Sequence, residues 1–110
     1  MTRFEARTSA EPDRVVVTLA GECDMAVRDE LTTALRAAID AAHVVVIDVG
    51  GLVFLDSSGL HGLIAAYHAA QDAGRELFLV NAGGVVADVL EMTGVSHLLG
   101  PPPPSGAADD

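Results

Sequence analysis

The chain has 110 residues, room for one domain, and half of them are apolar while only 4% are aromatic, so its core has to be built from Val, Leu, Ile and Ala, as in helices laid on a sheet. Sixteen acids against six arginines and no lysine leave a formal charge of −10, which repels phosphate backbones and anionic lipids and argues against direct nucleic-acid binding. Cys23 is the only cysteine, the start Met1-Thr2-Arg3-Phe4-Glu5 is not basic-then-apolar, and the most apolar stretch is broken by Asp48, Gly50, Gly51 and Asp56; no internal disulfide, signal peptide or membrane span is expected, and the cytoplasm is the expected address.

Residues 3–10 alternate loosely and predict an edge strand, followed by a turn at Pro12-Asp13. Val15-Val16-Val17-Thr18-Leu19 is a β-branched run that Gly21 closes. From Met25 the period changes: Val27, Leu31, Leu35, Ile39 and Ala42 recur every four residues or so, with Arg28, Asp29, Thr32 and Arg36 elsewhere on the wheel. This is an amphipathic helix with Asp24 placed to cap it. Val44 to Val49 is apolar on both faces apart from Asp48, the mark of a central strand, and Gly50-Gly51 breaks it. Leu60, Leu63, Ile64, Tyr67 and Ala70 trace a second helix ending near Gly74, Glu76–Val80 reads as a strand, and Val85, Val86, Val89 and Leu90 mark a third helix stopped near Gly94. The order β-β-α-β-α-β-α, with an opening hairpin and right-handed crossovers after it, predicts a single α/β domain over 1–100 with a mixed sheet. Residues 101–110, which begin with four prolines, predict a disordered Pro-rich tail.

The informative stretch is Phe54-Leu55-Asp56-Ser57-Ser58-Gly59-Leu60, where a strand reaches a polar turn and a helix begins. Amides at a helix start lack intrahelical partners and carry the positive end of the dipole, and the oxygens of Asp56, Ser57 or Ser58 can satisfy them. Taken alone, the tetrapeptide Asp56–Gly59 is explained by helix capping.

The wider pattern resembles the anti-sigma factor antagonist family, bacterial members of the STAS domain superfamily, over roughly residues 13–100. The resemblance is carried by Leu19-Ala20-Gly21-Glu22-Cys23-Asp24, by Val46-Ile47-Asp48-Val49 followed by Phe54–Leu60, and by Gly74-Arg75-Glu76-Leu77 with Val89-Leu90-Glu91-Met92-Thr93-Gly94-Val95. It implies a STAS-like mixed sheet of four to five strands with helices mainly on one side. It implies that Ser57 is phosphorylated by an anti-sigma factor serine kinase, that a separate serine phosphatase resets it, and that the unphosphorylated form binds the kinase and frees a sigma factor. Asp24 and Asp56 match the acids flanking the family's phosphosite, Ser58 its Ser/Thr position, and Gly59 the glycine that follows; Gly21-Glu22 matches a step read as turn geometry. His61 stands where the family often has a small residue. ATP and Mg²⁺ belong to the kinase, so no cofactor is expected, and monomer is the simplest state.

Other chemistries fit less well. A serine hydrolase built on Ser57 lacks the Gly-x-Ser-x-Gly elbow, and His61, one helical turn away, is too local for a triad, while His61 and His68 lie off the apolar stripe. His43, His61, His68 and His97 are scattered, without metal-ligand spacing. A phosphate-binding loop or a receiver domain needs a lysine that the chain lacks. The competing reading is a static STAS scaffold or an accessory subunit of a signalling or transport complex, with Ser57 no more than a cap.

Overall fold

In a computed structural model, which describes residues 3–92, an antiparallel hairpin with an exposed first strand and a buried second one leads into a parallel α/β unit. Strand β1 (Glu5–Glu11) turns at Pro12-Asp13 into β2 (Arg14–Cys23), and a single 3-10 turn at Met25–Val27 precedes helix α1 (Arg28–Ala41). Strand β3 (Val44–Leu55), helix α2 (Ser57–Asp72), strand β4 (Glu76–Val80) and helix α3 (Gly84–Met92) follow. Among the described residues the sheet has four strands in the order β1-β2-β3-β4. The β1–β2 pair is antiparallel, whereas β2–β3 and β3–β4 are parallel. A two-residue turn suffices for the first pairing, and helical crossovers are needed for the others. The predicted helix stop at Gly94, His97 and the Pro-rich stretch 101–110 lie outside the described residues.

Alternation along the strands decides which side the helices cover. Val15, Val17 and Leu19 of β2, Val45, Ile47 and Val49 of β3, and Leu77 and Leu79 of β4 share one core with Leu31, Leu35, Ala38 and Ile39 of α1 and Leu60, Leu63, Ala66 and Ala70 of α2. Val86 and Leu90 of α3 join the same core. Each Val, Leu or Ile among them stabilises the fold by about 1.5–3 kcal/mol on burial. Val46, on the second face of β3, is buried in register between Val16 and Phe78, which explains why β3 reads as apolar on both faces.

Two glycine positions depart from what the sequence predicts. Gly21 does not close β2: the strand runs on to Cys23, and Gly21 adopts φ +92°, with the Arg3 carbonyl pressed where a Cβ would stand. Gly21-Glu22 is thus a special backbone step inside a strand, not a turn. Gly50-Gly51 does not end β3 either; the strand absorbs both residues and continues to Leu55. Eleven β3 residues, Val45–Leu55, lie along nine β2 residues, Val15–Cys23, with irregularities at Thr18/Ala20 and Gly21/Glu22. These are β-bulges, each adding one residue to β3. At the first, the Gly50 amide donates to Asp48 Oδ1 at 2.9 Å, and a Cβ on Gly51 would lie 3.0 Å from the Ala20 Cβ.

Candidate functional site

The site is the corner where β3 becomes α2. Leu55 is the last residue of β3 and pairs with Cys23, the last of β2. The amide of Asp56 then donates to the Cys23 carbonyl at 3.2 Å, tying the two strand ends together. Asp56 is extended (φ −98°, ψ −176°) and is the N-cap of α2. Its Oδ1 accepts from the Gly59 amide at 2.9 Å, and its carbonyl accepts from the Leu60 amide at 2.9 Å. The side chain therefore satisfies the third helical amide and the carbonyl makes the first i→i+4 bond. This leaves the amides of Ser57 and Ser58 at the positive end of the helix without an intrahelical acceptor.

Ser57 is the first helical residue and is exposed, Ser58 is half-buried, and Gly59 is buried. Gly59 sets how closely α2 approaches the strand ends. A Cβ there would lie 2.8 Å from both Cys23 Sγ and Leu55 Cδ1, and 2.9 Å from the Cys23 carbonyl oxygen. The helix start can settle against β2 and β3 only with no side chain at this position.

Asp24 stands on the other side of the same junction. It caps the Met25–Val27 turn, accepting from the Ala26 amide at 3.0 Å, while its carbonyl accepts from the Val27 amide at 3.1 Å. The sequence places this cap on the amphipathic helix itself; the structure interposes a 3-10 turn, and α1 begins four residues later at Arg28. Cys23 lies fully buried between the two acids. Its thiol is pushed up to about 11, first by burial and then by the charges of Asp56 and Asp24. At neutral pH it is a neutral packing group, not a nucleophile. The corner thus brings Asp24, Asp56, Ser57, Ser58 and Gly59 to one junction, with Cys23 and Leu55 as its floor.

Three exposed apolar residues at this corner are not evident from sequence periodicity. Met25, Val53 and Phe54 are 72%, 58% and 44% exposed. In the run Leu52-Val53-Phe54-Leu55, apolar character alone cannot separate the buried outer pair from the exposed inner pair. The second bulge does so: Leu52 pairs with Gly21 and Phe54 with Glu22, and Val53 is the extra residue between them.

His61 and His68 are exposed on α2, and His43 follows α1 at the opposite pole. Among the described residues no group of three or more His, Cys, Asp or Glu is placed to hold a metal. Nor is any described helix long and apolar enough to cross a membrane.

Comparison with known proteins gives a consistent picture. The model of the STAS domain family matches residues 4–105. An anti-sigma factor antagonist from Mycobacterium paratuberculosis is 25% identical and superposes with a TM-score of 0.81, the match covering 94% of this chain and 88% of that one. The anti-sigma factor antagonist SpoIIAA in its unphosphorylated form is 21% identical (TM-score 0.74, covering 89% and 86%). The phosphorylated form of this Bacillus cell fate determinant is 20% identical (TM-score 0.69, covering 89% of each). A sulfate transporter family protein from Wolinella succinogenes has the same fold at 20% identity (TM-score 0.66, covering 77% and 70%).

Proposed function

The chain belongs to the STAS domain family, and from that premise we propose that it is a non-catalytic anti-sigma factor antagonist of the cytoplasm, gated by phosphorylation of Ser57. In this reading the unphosphorylated domain binds an anti-sigma factor serine kinase and displaces the sigma factor that the kinase holds. The kinase transfers the γ-phosphoryl group of ATP: a bond forms from Ser57 Oγ to phosphorus, the bond to ADP breaks, and the hydroxyl proton passes to a base on the kinase. A serine phosphatase hydrolyses the ester and restores the hydroxyl.

The observation that carries the reading is the exposed Ser57 on the first turn of a helix whose third amide is already held by Asp56. A phosphate there adds about −1.5 to −2 charges at neutral pH. The Ser57 and Ser58 amides lie where they can face it, so the fold has no reason to change. A partner packed over the corner must instead strip water from a dianion flanked by Asp24 and Asp56. A penalty of about 3 kcal/mol lowers affinity roughly a hundredfold. The modification therefore gates association rather than shape. Ser58 and Gly59 support it, the first by its amide and the second by fixing the height of the helix.

The test is capture from the source cells with the wild-type, Ser57→Ala and Ser57→Asp proteins as baits. The reading expects an ATP-binding kinase with the first two and not with the third, and one phosphate on Ser57 in protein purified from those cells. The likeness to a sulfate transporter family protein favours a second reading, a STAS module that serves as a constant accessory or scaffold. Equal capture of one non-kinase partner by all three baits would establish it instead.

A further inference from the structure

We infer that Met25, Val53 and Phe54 form an apolar anchor, set in a ring of carboxylates, which holds a protein partner whose matching face is an apolar socket with a basic rim. The inference deepens the phosphorylation-gated reading of the Ser57 corner and rests on it for the identity of the partner. Large exposed apolar residues are few among the described residues: Met25, Val53, Phe54 and Met92. Three of these four fall within two residues of a single cross-strand pair, Cys23–Leu55. Single exposed apolar side chains are ordinary, but their gathering at one corner is the mark of an interaction surface.

The backbone explains why they are outside. Regular alternation along β3 carries Val45, Ile47 and Val49 into the core. Had the alternation continued, Val53 would point inward with them. Instead, the bulge at Thr18/Ala20 shifts the phase and buries Leu52, and the bulge at Gly21/Glu22 leaves Val53 as the extra residue facing solvent; the original phase then returns, with Phe54 outward and Leu55 buried. Bulges next to functional sites commonly redirect a side chain in this way. Phe54 still leaves 44% of its surface in solvent, in a chain with only three phenylalanines, one of which, Phe4, is in the core.

The surroundings define the partner's chemistry. Glu22 lies opposite Phe54 in register, Asp24 directly precedes Met25, and Asp56 and Ser57 follow Phe54 by two and three residues. Asp29 and Glu30 occupy the first turn of α1 beyond the 3-10 turn. Arg28 is the only cation in the stretch from Glu22 to Glu30. Arg3, whose carbonyl lies against Gly21, is exposed nearby, so five carboxylates (Glu22, Asp24, Asp29, Glu30 and Asp56) outnumber two arginines here. An aliphatic and aromatic centre with an acidic border is complementary to an apolar pocket bordered by Lys or Arg. Such a centre supplies affinity and the border supplies orientation and association rate. It also makes the gate effective, because phosphate on Ser57 lands at the border, where the partner has to desolvate it.

The experiment compares capture of the ATP-binding kinase by wild type, Phe54→Ser, Val53→Ser/Phe54→Ser, Met92→Ser and Ser57→Asp, with each bait's melting temperature measured first. Affinities are then titrated with the purified kinase at low and high salt. The expected result is a loss of roughly tenfold or more for Phe54→Ser, a larger loss for the double variant, and none for Met92→Ser. All of these baits should melt with the wild type, and wild-type binding should weaken at high salt. Wild-type affinity in Phe54→Ser and in the double variant would overturn the anchor, and so would binding indifferent to salt overturn its basic rim. A concentration-dependent dimer of wild type that Phe54→Ser dissolves would assign the patch to a second copy and also overturn the proposal. Ser57→Asp binding as wild type does, while Phe54→Ser fails, would refute the gate and leave the anchor standing; the reverse pattern would refute only the anchor.

Discussion

Two glycines one helical turn apart on α2 provide a test of how the Ser57 corner is held. In Gly59→Ala the new methyl would lie 2.8 Å from Cys23 Sγ and Leu55 Cδ1 and 2.9 Å from the Cys23 carbonyl oxygen. None of these can yield easily: Cys23 and Leu55 are core residues at 0% and 3% exposure, and the carbonyl is fixed by the Asp56 amide. The helix start has to lift by a few tenths of an ångström. Overpacking of this kind costs about 1–3 kcal/mol, and the helix-propensity gain of an alanine, up to about 1 kcal/mol in a helix interior, is small at the third position. The net expectation is a loss of about 1–2 kcal/mol, equivalent to a fall in Tm of about 4–15 °C for a domain of this size. In Gly62→Ala the methyl meets only Leu31, with Cδ2 at 2.9 Å and no backbone atom; Leu31 is itself fully buried, but a single side-chain terminus has to shift and the helix need not lift off the strands. Here the interior propensity gain offsets a small rotamer shift, so stability should stay level or rise by up to about 1 kcal/mol. Thermal and urea unfolding followed by circular dichroism measures both. Gly59→Ala melting with the wild type, or Gly62→Ala falling as far as Gly59→Ala, would refute this account of the packing.

Asp56→Ala should lose about 1 kcal/mol in urea unfolding, because it frees the Gly59 amide, while Asp56→Asn should keep most of the cap. Equal losses in the two variants would show that charge rather than the hydrogen bond matters. Stability should also depend on pH above 9 through Cys23. Its thiol ionises near 9.0 in an unfolded chain and at about 11 when folded, so below pH 9 its contribution is complete. Between pH 9 and 11 the unfolded chain loses the proton and the folded one keeps it, which removes on the order of 2 kcal/mol. The wild type should therefore lose stability more steeply than Cys23→Ala over that window in parallel urea titrations; parallel slopes would contradict it.

Much of this molecule is legible in its sequence, where the residues follow a single period. Glu76–Val80 and the apolar stripes of α1 and α2 are read directly, because one face of each element meets one core. Gly21 and Gly50-Gly51 are misleading because glycine marks both the end of a strand and a distortion within it, and only the neighbouring chain decides which. At Gly21 the deciding neighbour is the Arg3 carbonyl, and at Gly51 it is Ala20, and neither proximity follows from local sequence. Within the site, a polar helix cap among Asp56, Ser57 and Ser58 is legible because capping is a local interaction, and the structure assigns it to Asp56. The outward turn of Val53 is not, since it depends on the β2–β3 register, set by residues about thirty positions away.

That register also has a kinetic consequence. Val15 pairs with Val45, and Val45 with Leu77, so β3 gains each parallel neighbour only when a crossover of some thirty residues closes. The β1–β2 hairpin is local and can form early, whereas non-local parallel pairing is slow. The Asp56–Cys23 hydrogen bond spans the first crossover, so the Ser57 corner cannot exist in a nascent or partly folded chain. A partner of the kind proposed for this corner would read the completed β2–β3 pairing, and an immature copy would not compete for it.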